Sequence, residues 1–221
     1  MNAINYQKEL EKILKEQERK PLLPGDDQGV KTLLMHSCCA PCSSYVLEYL
    51  CRYFYITVYY YNPNISDDKE YRKRVKEQIR LIKSYNREME EAVRSGYPIR
   101  IMEGDYEPQR FYETVRGYED CPEGGERCFR CFDLRLREAA ERAKEGGYDY
   151  FATTLTISPL KNAPKINEIG MALAKEYGVA WLPADFKKRD GYKRSIELSA
   201  EYDLYRQNYC GCAYSLREDK K

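Results

Sequence analysis

Apolar positions recur at two different periods along the chain, and their alternation predicts an order of helices and strands. Leu10, Ile13 and Leu14 stand at helical spacing among many charges, so Met1–Lys20 reads as an amphipathic helix, ended by Pro21, Pro24 and Gly25. Lys31–His36 is a short apolar run suited to a buried strand. The cysteine-rich turn after it passes through Pro41 into a helical pattern over Cys42–Tyr53. Phe54–Tyr61, dense in aromatic and β-branched residues, predicts a second strand that Asn62, Pro63 and Asn64 terminate. Asp67–Arg94 then reads as one long charged helix, Pro98–Met102 as a third strand and Pro108–Val115 as a short helix. Arg116–Arg127 holds three glycines and a proline and is expected to be a loop. Phe132, Leu136, Ala139, Ala140 and Ala143 mark a helix over Phe129–Lys144, stopped by Gly146 and Gly147. Tyr148–Thr153 gives a fourth strand, Ala163–Tyr177 a helix closed by Gly178, Val179–Leu182 a fifth strand, and Tyr192–Arg206 a last helix.

Strands that alternate with helices imply a parallel sheet covered on both faces, a doubly wound α/β protein of Rossmann-like type. With 221 residues, 43% of them hydrophobic, the chain suits one compact domain, read as an amino-terminal helix and linker over residues 1–30 and a single α/β catalytic domain over 31–221. Apolar runs are as short as Leu33–Met35, far below the roughly 18 residues that cross a bilayer, so no membrane association is expected. The first residues lack the cationic start and apolar stretch of a secretory signal, and a cytoplasmic protein is expected. Lys and Arg total 37 against 36 Asp and Glu, so bulk charge does not choose the partners.

Nine cysteines against a single histidine, His36, are the anomaly. In a reducing compartment such cysteines act as metal ligands or redox groups more often than as disulfide staples. They fall in three groups. Cys38, Cys39 and Cys42 occupy the turn after the first strand, at the carboxyl edge where open sheets bind ligands. Cys128 and Cys131 form a CxxC at the start of a helix, where the dipole and neighbouring Arg127 and Arg130 favour thiolates. Cys210 and Cys212 form a CxC near the carboxyl end. Four thiolates hold either a tetrahedral zinc or a cubane iron-sulfur cluster, and placement at the ligand edge favours an active-site cluster over structural zinc. A disulfide between residues two apart closes a very small ring and is easily reduced, so the CxC pair reads as an electron carrier, or else as two further ligands.

These stretches resemble one family, the cobalamin-independent epoxyqueuosine reductases (QueH). The similar segments are LLMHSCCAPCSS over Leu33–Ser44, YYNPNI over Tyr60–Ile65, RCFRCFDLRL over Arg127–Leu136 and TTLTISPLKN over Thr153–Asn162. LPADFKKRDGYKRS over Leu182–Ser195 and YRQNYCGC over Tyr205–Cys212 complete the set. The resemblance implies a fold similar to the PP-loop (HUP) nucleotide-binding superfamily, with CCAPC in place of the glycine-serine phosphate loop. It also implies a 4Fe-4S cluster on Cys38, Cys39, Cys128 and Cys131, and a redox-active disulfide of Cys210 and Cys212. The implied reaction is the last step of queuosine biosynthesis, in which the epoxide of epoxyqueuosine in tRNA becomes an alkene, with a separate electron donor. Cys42, a further thiol beside the cluster motif, or else a nearby carboxylate, is expected to bind an additional metal ion, with iron the candidate.

Two other functions compete. A PP-loop-like tRNA sulfur-transfer enzyme would share the fold, but without the glycine-serine loop the backbone amides that cradle phosphate are missing. A zinc-stabilised RNA-binding module would bind tRNA without turnover. For tRNA, Lys187, Lys188, Arg189, Lys193 and Arg194 against Asp190 give a net +4 within eight residues, and Arg127, Arg130, Arg135 and Arg137 form a second basic region. Some of the 22 tyrosines are candidates to stack on an unpaired base, although Tyr59–Tyr61 read as packing. Asp185, after the fifth strand, is a candidate to orient substrate or manage a proton, or else a helix cap or solvent-facing residue. Asp133 is expected to pair with Arg137 four residues on, Cys51 and Trp181 to be core, and His36 to satisfy a strand end or else to donate a hydrogen bond near the cluster.

Overall fold

The computed structural model describes residues 4–18 and 29–216. Its strands are β1 (Lys31–His36), β2 (Phe54–Tyr60), β3 (Arg100–Glu103), β4 (Tyr150–Thr153) and β5 (Ala180–Trp181). They form one sheet in the order β3-β2-β1-β4-β5, and every neighbouring pair is parallel. In register, Leu34 lies beside Thr57 on one side and Phe151 on the other. The strand order reverses between β1 and β4, which opens a crevice beyond their carboxyl ends.

The helices are α1 (Tyr6–Glu18), α2 (Ala40–Leu50), α3 (Asp68–Glu90), α4 (Pro108–Thr114), α5 (Glu126–Glu145), α6 (Ala163–Tyr177) and α7 (Gly191–Glu201). Successive side chains of a strand point to opposite faces, so each strand feeds two cores. Leu33 and Met35 of β1, with Ile56 and Val58 of β2, pack against Leu47 of α2, Leu81 of α3 and Leu10 and Leu14 of α1. Leu34 and Phe151 face the other way, onto Leu136 and Ala139 of α5 and Leu173 of α6. A buried Leu or Phe contributes about 1.5–3 kcal/mol, so the two cores fix the sheet between its helices. Cys51 and Trp181 are core residues, as their setting in sequence suggested.

Several boundaries move from their expected positions for local reasons. Helix α2 begins at Ala40 rather than Cys42, because Pro41 fits a first helical turn where no N–H is needed. β3 begins at Arg100 rather than Pro98. The last helix ends at Glu201 instead of Arg206, and Asp203, at φ 48°, turns the chain out of it. A 3-10 turn over Thr154–Ile157, which the apolar pattern did not suggest, follows β4 directly. The expected stop at Pro21, Pro24 and Gly25 lies outside the described residues. Among the described residues no helix is long and apolar enough to cross a membrane.

Candidate active site

The loop between β1 and α2 brings Cys38, Cys39 and Cys42 over the crevice. It is held from three directions. Ser37 N–H donates to the Tyr59 carbonyl (3.0 Å), Asn62 Nδ2 donates to the Ser37 carbonyl (2.9 Å), and the Ser37 and Ser43 hydroxyls both donate to Gln78 Oε1 (2.8 and 2.9 Å). The amide of Cys38 reaches Thr154 Oγ1 (3.4 Å), just past β4. Cys39 is the residue before α2, extended, so its side chain and that of Cys42 in the first turn face the same space. The three sulfurs lie within 4.8 Å of one another, and Cys38 Sγ is 3.8 Å from Cys39 Sγ.

These three thiols are linked electrostatically. Hydrogen bonds from Cys39 and Cys42 draw the Cys38 thiol well below its ordinary range, with Arg135 and Lys161 adding attraction. The donors move the other way: Cys39 is pushed up to about 12 by its bond to Cys38, and Cys42 rises well above the usual value by its bonds to Cys38 and Cys39. Three clustered thiols, one of them drawn toward the thiolate, suit a soft cation.

Beside them stands Arg135 of α5, 1% exposed. Its Nη2 donates to Asn62 Oδ1, its Nε to His36 Nε2 (3.3 Å) and its Nη1 to Cys131 Sγ (4.0 Å). His36 Nε2 also meets the Tyr61 carbonyl, which only accepts, at 3.1 Å, and Nδ1 meets Thr153 Oγ1 at 2.8 Å. Burial, with Arg135 adjacent, pushes His36 down to about 3, so the imidazole is neutral and ties β1 to β4. It satisfies a strand end, as expected.

A cavity of about 420 Å³ opens on this loop. Cys38, Cys39, Cys42 and Cys210 all line it, together with Lys161 and Arg74. Lys161 Nζ donates to Cys210 Sγ (3.6 Å). Arg74, 2% exposed, spends Nε on Glu70 (2.7 Å) and Nη1 on the Cys210 carbonyl (3.0 Å), which leaves Nη2 without a partner.

The remaining cysteines are spread more widely. Cys128 and Cys131 sit in the first turns of α5, where Cys128 Sγ accepts from Gly124 N–H (3.2 Å) and burial pushes Cys131 up to about 12. Cys131 packs with Cys212, Phe111 and Val115 in a small buried cluster on the flank of the cavity. Cys212 donates to Ser215 Oγ (3.3 Å). Thus the fold gathers Cys38 and Cys39 with Cys42, places Cys210 across the same cavity, and keeps Cys128, Cys131 and Cys212 outside the tight trio. All nine cysteines are free thiols. Asp185 pairs with Lys187 (2.5 Å), does not line the cavity and has no visible part in it. The carbonyl of Cys121 caps the Arg127 guanidinium. Asp133 meets Arg137 at 3.5 Å, as its spacing suggested.

Fold and site together define a doubly wound α/β protein with a thiol-lined cavity at the switch point of its sheet and donors suited to a soft metal. The sequence profile described as epoxyqueuosine reductase QueH matches residues 33–218. The chain is 44% identical over 214 residues to an epoxyqueuosine reductase QueH of Streptococcus pyogenes serotype M1, covering 97% of this chain and 79% of that protein. The same identity holds over 214 residues against the Staphylococcus aureus (strain Mu50) protein of that name, at 96% and 84% coverage. Against that of Thermotoga maritima it is 36% over 196 residues, at 86% and 93% coverage. The chain belongs to the epoxyqueuosine reductase QueH family.

Proposed function

We propose that this chain reduces the epoxide of epoxyqueuosine in tRNA to the alkene of queuosine. The observation that carries the reading is the meeting of a three-thiol site and a CxC thiol in one cavity of about 420 Å³, in a chain of this family. Removing the epoxide oxygen as water takes two electrons and two protons. Oxidation of the Cys210 and Cys212 thiols to a disulfide supplies that number of each.

The donor set fits a thiolate-bound metal. Three sulfurs within 4.8 Å of one another, with Cys38 drawn toward the thiolate, are the soft donors such a metal takes. On this reading Cys38, Cys39, Cys128 and Cys131 hold a 4Fe-4S cluster, and Cys42 contributes to an additional iron. Cys131 and Cys38 are linked through Arg135, which bonds the first and attracts charge on the second. When bound, iron supplies a Lewis acid for the epoxide oxygen and a path for single electrons. The chain's own part is to hold the substrate and its developing charge. Arg74 lines the cavity and keeps Nη2 unpaired, so on this reading its guanidinium stabilises charge on the oxygen as its bond to carbon breaks and keeps its own proton throughout.

Anaerobic purification, metal and sulfide analysis, and nucleoside mass spectrometry of epoxyqueuosine tRNA after incubation with a chemical reductant test the reading. About four sulfide and about five iron per chain, with conversion to queuosine, are expected. Cys38→Ala is expected to lose the metal, and Cys210→Ser to keep its colour and lose multiple turnover. A zinc protein without sulfide after anaerobic reconstitution, and without conversion, would overturn it in favour of an RNA-binding module.

A further inference from the structure

The two thiols of the CxC pair have opposite surroundings, although one glycine separates them. Cys210 lines the cavity and is partly exposed, with the Lys161 ammonium 3.6 Å from its sulfur and Asn64 Nδ2 at 4.0 Å. Cys212 is 7% exposed and packs with Phe111, Val115 and Cys131, with its S–H given to Ser215. The backbone holds them so: Gly211 sits at φ 114°, and its carbonyl accepts from Ser66 N–H (3.0 Å) while Arg74 holds the carbonyl of Cys210. A Cβ at Gly211 would come within 2.9 Å of Ile65, so the turn between the two thiols is specific to glycine.

We propose that Cys210 is the sulfur through which the pair exchanges with a reducing dithiol, that Cys212 is its sheltered partner, and that Lys161 is the positioning residue that stabilises charge on Cys210 during the exchange. The inference rests on the redox reading of the pair. A thiolate of the incoming dithiol attacks Cys210 Sγ in the Cys210–Cys212 disulfide. The protein S–S bond breaks, Cys212 leaves and takes a proton, and a mixed disulfide stands on Cys210. The second thiol of the reductant then attacks its own sulfur in that bond. Cys210 departs as a thiolate, the reductant closes to its cyclic disulfide, and two electrons have entered the pair. Access selects the first sulfur attacked, and leaving-group charge governs the second step.

Lys161 suits the second step by position: its Nζ is 3.6 Å from Cys210 Sγ on the wall of the same cavity, where a cation stabilises the departing thiolate. From α5 Arg135 adds positive charge to the same region. Glu123, on the cavity wall, is the carboxylate among the residues that line the cavity.

The test uses the anaerobic, metal-loaded enzyme and dithiothreitol with iodoacetamide as probes, read by peptide mapping. In the reduced enzyme Cys210 is expected to be alkylated at least tenfold faster than Cys212. In Cys212→Ser a mixed disulfide with an aromatic disulfide reagent is expected on Cys210, whereas Cys210→Ser gives none on Cys212. Lys161→Met is expected to slow release of that mixed disulfide by dithiothreitol by roughly threefold or more, and Lys161→Arg to restore it. Alkylation of Cys212 first, or equal release rates in Lys161→Met and the parent, would overturn the assignment. If Cys210→Ser and Cys212→Ser both keep full multiple turnover, the redox reading itself fails, whichever sulfur the reagent prefers.

Discussion

At the scale of single residues, the site depends on polar side chains placed where apolar ones would be expected. In α3 the buried face runs Tyr71, Arg74, Val75, Gln78, Leu81, Ile82 and Tyr85, at helical spacing, and two of its members are polar. Arg74 reaches the cavity and Gln78 anchors the cysteine loop. In α5 the face holding Phe132, Leu136 and Ala139 also holds Arg135. Each of the three Arg135 nitrogens goes to a different element, which a single ammonium cannot reproduce. Arg135→Lys therefore keeps the charge and loses hydrogen bonds, and is expected to cost about 2–3 kcal/mol. Urea unfolding of the metal-free variant measures this, and a loss under 0.5 kcal/mol, roughly the noise of a surface change, would show that the network is not integral to the fold.

At the scale of elements, β1 is fastened to β4 at both ends. His36 bonds Thr153 at the carboxyl end, where the site lies. At the other end Asp149 accepts from Thr32 N–H and Thr32 Oγ1 (2.9 Å each) and from Lys31 Nζ (2.6 Å). Burial would raise the Asp149 carboxyl, but these donors outweigh it and hold it below its usual 3.8. A carboxyl depressed on folding stabilises above its unfolded value, and that stability is lost as pH falls through the lower folded value. Lys31 is exposed and adds little, so Asp149→Ala is expected to cost about 1–2 kcal/mol at pH 7, chiefly through the Thr32 amide. The gap between parent and variant is expected to narrow below pH 3.8. Melting curves at the two pH values check it, and an unchanged gap would remove the ionised carboxylate from the account.

Element order was legible in the sequence because each strand and helix carries its own period, and the strand-turn-helix at Cys38–Cys42 already pointed to the sheet edge. The roles of Arg74, Gln78 and Arg135 were masked inside charged helices. They showed only as polar residues falling in an apolar stripe, and asking which polar residues share the phase of the apolar ones would have found them. Lys161 carried no such signal, since it lies in the loop Ser158–Asn162, and only the packing of that loop against the CxC turn brings it to Cys210. Cys42 joins the trio rather than standing apart because Pro41 starts the helix two residues early and swings its first turn over Cys38 and Cys39.

At the scale of the whole molecule, the charge that seemed free to meet tRNA is partly spent within the fold. Of the five cations in Lys187–Arg194, Arg189 pairs with Glu11 of α1, Arg194 with Glu48, Glu197 and Glu201, and Lys187 with Asp185. The second basic region is similarly occupied, with Arg127 and Arg135 buried and Arg137 paired to Asp133 and Glu176. Among the described residues no ion pair involves Lys193 or Arg206. Lys193 is exposed next to Tyr192 at the cavity, and Arg206 lines it. Tyr192, 37% exposed, and Leu160, 61% exposed, supply apolar surface at the same mouth on which an unpaired base can rest. Phosphates following a loop base into this cavity would therefore meet few cations, and a shallow salt dependence follows. Each neutralised phosphate contributes about 0.7–0.9 to the slope of log affinity against log salt. Lys193→Ala and Arg206→Ala are each expected to reduce that slope by about one, whereas Arg189→Ala and Arg194→Ala leave it unchanged because their charge is already committed. Titration of epoxyqueuosine tRNA at several potassium chloride concentrations distinguishes the two pairs. A slope that falls equally for all four variants would mean that the ion pairs to Glu11 and Glu48 open when tRNA binds, and that the docking face extends over α7 toward α1.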